Sequence, residues 1–123
     1  MIIPILTSHD KFYSQLVSLF SNFAPIKSLS NREKSLLIEI LNQNYKYRNI
    51  PEDSRYIVLF STENRITMAK NIGISVDALY VLLSNIRKKG AITSDNRIPA
   101  FLAKIVPEDT FEFTILFKIK DEE

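Results

Sequence analysis

The chain has no cysteine, no tryptophan, two glycines and one histidine in 123 residues. Without cysteine there is no disulfide, no thiol nucleophile and no cysteine-based zinc site. Two glycines cannot build a glycine-rich phosphate cradle. The histidine, His9, stands beside Asp10 near the amino terminus, where a lone imidazole is ordinarily a surface group and not a catalytic base. No apolar run approaches the roughly 20 residues of a membrane span. The Met1-Ile2-Ile3-Pro4 start also lacks the basic region of a secretory signal. These absences predict a cytoplasmic binding or structural module, not an enzyme, with no cofactor, no metal and no membrane partner.

With 46% hydrophobic and 24% charged residues, the chain has an ordinary globular composition and the length of one domain. The net charge of +2 conceals an uneven distribution. Residues 61–104 carry seven basic and three acidic groups, whereas residues 105–123 carry two basic and six acidic ones. A basic centre of this kind suits a polyanionic partner.

Periodicity predicts a helix over residues 10–23, with Phe12, Leu16, Leu19, Phe20 and Phe23 on one face, Ser8 or Asp10 as its cap and Pro25 as its stop. Ser30 and Glu33 have capping-box spacing, opening a helix that carries Leu36, Leu37, Ile40 and Leu41. The continuous apolar run Tyr56 to Phe60, rich in aromatic and β-branched residues, reads as a buried strand. Ser61 or Thr62 caps a third helix that buries Ile66, Ala69 and Ile72. Gly73 supplies a positive-φ turn. Ser75 then caps a fourth helix with the stripe Leu79, Leu82, Leu83 and Ile86, and Gly90 ends it. Ala91 to Thr93 reads as extended, Ser94 to Asn96 as a turn, and Pro99 to Val106 as a short helix. From Thr110 to Lys120, strict alternation of Phe111, Phe113, Ile115, Phe117 and Ile119 predicts a long strand with its apolar face on the core.

The stretch Arg65 to Ile92, two short helices around Gly73, has a helix-turn-helix layout, a common device for placing a helix in the DNA major groove. Met68-Ala69 before Ile72-Gly73-Ile74-Ser75, followed by Leu79, Leu82 and Lys89-Gly90-Ala91-Ile92, resembles the winged-helix branch of that superfamily. The resemblance covers roughly Ser30 to Ile119. It implies an α+β fold: a winged-helix-like core at residues 29–93, an N-terminal helical extension at 1–28, and an extended wing with the long C-terminal strand at 94–123. Two departures stand out. About sixteen residues separate Thr93 from Thr110, where a wing is normally a short hairpin. The outward face of the second helix offers Asp77, Tyr80, Val81, Ser84, Asn85 and Lys88, of which only Asn85 is a good base reader.

The resemblance implies double-stranded DNA as partner and a role in transcription or replication regulation of phage or mobile-element origin. Arg65, Lys70, Arg87, Lys88, Lys89 and Arg97 would contact phosphate, with Tyr80, Ser84 and Asn85 near base edges. The chain is also similar to small helix-turn-helix proteins of tailed bacteriophages. The alternative is therefore a virion structural or assembly protein that uses the same fold for protein packing, with Tyr80 and Val81 in a contact to a protein partner or a second copy.

Overall fold

The computed structural model describes residues 1–107 and 111–121. Its helices are α1 (Phe12–Phe20), α2 (Asn31–Lys46), α3 (Glu52–Leu59), α4 (Thr62–Ile72), α5 (Val76–Lys88) and α6 (Ala100–Ala103), with a 3-10 turn at Ile26–Ser28. The long helix α2 is the hub, packing against α1, α3, α4 and α5. Leu36, Leu37, Ile40 and Leu41 are its buried stripe, at the one-turn spacing expected of an amphipathic helix. Leu59, Met68, Ala69, Leu79, Leu83 and Ile86 close the core from the other helices.

Local chemistry sets most helix ends. The Ser30 hydroxyl accepts from the Glu33 N–H at 3.2 Å, and Glu33 Oε1 accepts from the Ser30 N–H at 2.9 Å, completing the capping box. Ser61 and Ser75 cap α4 and α5 by accepting from the N–H groups of Asn64 and Ala78. The N-terminal helix departs from expectation. It begins only after Lys11, without a side-chain cap from Ser8 or Asp10, and it ends at Phe20, five residues before Pro25. It buries Tyr13, Leu16 and Val17, so the packed face is rotated from the Phe12–Leu19–Phe23 stripe. Tyr13 Oη donates to the Ile105 carbonyl at 3.0 Å, tying α1 to the segment after α6.

The α+β winged-helix expectation is overturned, because the described residues contain no strand. The run Tyr56 to Phe60 lies in α3 and its last turn. Pro51 precedes the first helical residue, Glu52 and Asp53 favour the helix dipole, and Tyr56, Leu59 and Phe60 point inward. Ile57 and Val58 face solvent, giving a spacing of three and four where a strand would give two. Ala91 and Ile92 are buried in a bend, and Thr93 to Arg97 form a tight turn closed by the Thr93 N–H on the Arg97 carbonyl at 2.9 Å. The expected wing over residues 94–123 is therefore this turn, the short helix α6, and a tail that pairs with no other segment among the described residues. Residues 111–121 of that tail form no helix, turn or bend and are exposed, so the alternating side chains do not enter the core. Thr110 lies outside the described residues.

Candidate nucleic-acid interface

Helices α4 and α5 meet at 97° across the turn Gly73-Ile74-Ser75. Gly73 adopts φ +73°, its N–H bonds the Lys70 carbonyl, and the Ile74 N–H bonds the Ala69 carbonyl at 3.0 Å. This is the Schellman arrangement, which consumes the last carbonyls of α4 and turns the chain sharply. Gly90, at φ +83°, repeats it at the end of α5, with the Ala91 N–H on the Ile86 carbonyl at 2.9 Å. The steep crossing is made close by Ala69, which is buried, while Leu79, Leu83 and Ile86 turn α5 toward α2. Leu82 is only half-buried and Ile66 is exposed, so the expected burial of these two side chains is corrected; Met68 fills the core in place of Ile66.

The outward face of α5 shows Asp77, Tyr80, Val81 and Lys88 exposed, with Ser84 and Asn85 half-buried. The Arg65 guanidinium sits over the Tyr80 ring at 5.2 Å, and its Nε is buried without an acceptor among the described residues. Lys70 and Lys88 are exposed on the two arms of the pair, and among the described residues neither meets a carboxylate. Arg87 donates to Asn96 Oδ1 at 2.7 Å, a neutral partner that leaves its charge uncompensated.

Three of the sequence-derived contact residues are turned to carboxylates of the chain itself. Lys89 Nζ meets Glu33 Oε1 at 2.6 Å. The Asn85 side chain is half-buried and acts on the Glu33 carboxylate, lowering its pKa, so the one good base reader is not freely exposed. Arg97 is clasped by Asp53 at 2.6 Å, with Glu52 at 3.5 Å and Asp95 at 3.7 Å. It also stacks on Tyr56 at 5.1 Å, in a shallow cleft of about 330 Å³ whose rim includes Asp53 and Asp95. Carboxylates at that rim would repel phosphate.

Glu33 is the residue that the sequence reading undervalued. Burial alone would raise its pKa. The Lys89 hydrogen bond and charge, the Ser30 N–H and the Asn85 amide outweigh burial and hold the carboxyl below its usual range. Its capping-box spacing was visible, but its reach across 56 residues to Lys89 had no local signal. The described residues contain no cluster of three or more acidic or histidine side chains arranged to hold a metal ion. No single helix among them is long and apolar enough to cross a membrane. No family model, curated protein or solved structure matches this chain.

Proposed function

We propose that the protein binds duplex DNA through the α4–α5 pair, as a helix-turn-helix unit carried on an all-helical domain. The observation that carries this reading is the 97° crossing across a three-residue turn, which leaves the outer face of α5 uncovered with Lys70 and Lys88 at its flanks. Lys70, Lys88, Arg87 and Arg65 would lie on phosphates, while Tyr80, Val81 and Ser84 face the base edges. Tyrosine, valine and serine read base edges poorly, and Asn85 is half-buried beside Glu33. Affinity would then come mainly from counterion release, and sequence preference would be weak. A fluorescence titration against random duplex, run from low to moderate salt, tests this. Four phosphate contacts give a slope of log K against log salt of about −3 to −4. Absence of duplex binding at the lowest salt would remove DNA as partner.

A second reading, an assembly protein that uses the same helices for protein packing, is favoured by one observation. Tyr80 and Val81 on α5 and Ile66 on α4 are exposed apolar groups, and aromatic residues concentrate binding energy at protein contacts. Replacing Tyr80 with Ala and Val81 with Ser separates the readings. Loss of a protein partner with unchanged duplex affinity supports assembly, and altered duplex preference with assembly intact supports DNA.

A further inference from the structure

We propose that the C-terminal tail, residues 111–119, pairs antiparallel with the same segment of a second copy, joining two all-helical domains through a two-stranded ribbon. This inference rests on the tail and α1, and is independent of what α5 binds.

The tail forms no helix, turn or bend, and among the described residues no backbone hydrogen bond joins it to the rest of the chain, so its N–H and C=O groups are open to another strand. Its exposure changes abruptly at the middle. Phe111, Phe113 and Ile115 are 37–43% exposed, whereas Leu116, Phe117 and Ile119 are 74–96% exposed. The first half is covered because Phe111 packs on Phe12 at 6.4 Å and Phe113 on Phe20 at 5.4 Å, both on α1. The second half projects from the domain with nothing beneath it.

One register makes the two halves complementary. With Ile115 opposite itself on the two-fold axis, Phe113 faces Phe117 of the second copy and Phe111 faces Ile119. All these odd-numbered residues lie on the α1 side. On the other side Glu112 faces Lys118 and Thr114 faces Leu116, each twice by symmetry. A shift by one residue would set apolar opposite polar side chains at every pair except the one that includes Leu116. A shift by two would place either Phe111 opposite Asp121 or Glu112 opposite Leu116. The favoured register lays the uncovered Phe117 and Ile119 of each copy beside Phe113 and Phe111 of the other, above α1. An isolated two-stranded ribbon is marginal in water, and α1 supplies the hydrophobic support it needs. The axis at Ile115 coincides with the step in exposure. That agreement and the Glu112–Lys118 match identify a second copy, not an unrelated strand, as the occupant.

The test is the mass of the full chain in solution, by light scattering and sedimentation without nucleic acid. Wild type is expected to be a dimer. Glu112→Lys and Lys118→Glu each create two like-charge cross-strand pairs, and each is expected to weaken dimerisation at least about tenfold. An equimolar mixture of the two variants restores every opposite-charge pair and is expected to dimerise again, as is the double variant carrying both changes. The substitutions are on exposed tail residues, and circular dichroism of each variant checks that the helical domain remains folded. A monomeric wild type overturns the proposal. So do single variants that dimerise as well as wild type, or a mixture no tighter than its components.

Discussion

Replacing Glu33 with Ala removes the carboxylate that joins the start of α2 to the end of α5. The change deletes the reciprocal half of the capping box, worth about 1 kcal/mol. It also deletes the charge-assisted bond from Lys89, 2.6 Å long, with Glu33 almost fully buried; such bonds contribute about 1.5–3 kcal/mol. Lys89 is partly exposed and regains water, so no full penalty for a stranded charge is added. The expected loss is about 3 kcal/mol, or on the order of 10 °C in the melting midpoint for a domain of this size. The dependence on pH supplies the sharper check. Glu33 has a folded-state pKa below its unfolded value, so its ionised form stabilises the fold above the unfolded pKa, near 4.3. That contribution is lost as pH falls through the folded pKa. The gap between wild type and Glu33→Ala should therefore be widest at neutral pH and narrow in acid, read by circular dichroism melts at both. A gap under about 2 °C at neutral pH, or one as wide in acid as at neutrality, would refute this account of Glu33.

Leu83→Ala truncates a side chain with no solvent exposure where α5 meets the core, and should cost about 2–5 kcal/mol in chemical denaturation. The half-buried Leu82 should tolerate the same change better, and the order of the two variants checks which face of α5 is packed. Gly73→Ala should destabilise by about 1–2 kcal/mol although an added Cβ meets nothing within 4 Å, because the cost lies in the positive φ. Gly73→Asn should be milder, since asparagine tolerates that region; equal losses for the two would contradict a purely conformational origin.

Much of the helical framework was legible because caps and glycines act locally. Ser30 with Glu33, Ser61, Ser75, Gly73 and Gly90 mark helix ends through hydrogen bonds spanning only a few residues, and all appear in the structure. Tyr56 to Phe60 misled because a five-residue apolar run has no period of its own. Only the burial of Tyr56, Leu59 and Phe60 with Ile57 outside reveals a helix. The tail has the alternation of a strand, but alternation does not supply a partner, and the chain offers no second strand among the described residues. For the candidate site, sequence located α5 and its outward residues but could not distinguish free cations from engaged ones. Lys88 and Lys89 are neighbours in sequence, yet one is open to solvent and the other is bonded to a glutamate 56 positions away. Long-range ion pairs of this kind have no periodic signature.

The difference between those two lysines provides the most direct measurement of the DNA account. Duplex affinity should be measured across a salt series for wild type, for Lys70→Ala with Lys88→Ala, and for Lys89→Ala at a temperature where every variant is folded. The account predicts a slope of about −3 to −4 for wild type, a slope shallower by about two for the paired variant, and an unchanged slope for Lys89→Ala. A wild-type slope near zero, or a paired variant that binds with the wild-type slope, would contradict the assignment of α4 and α5 as the surface that meets DNA.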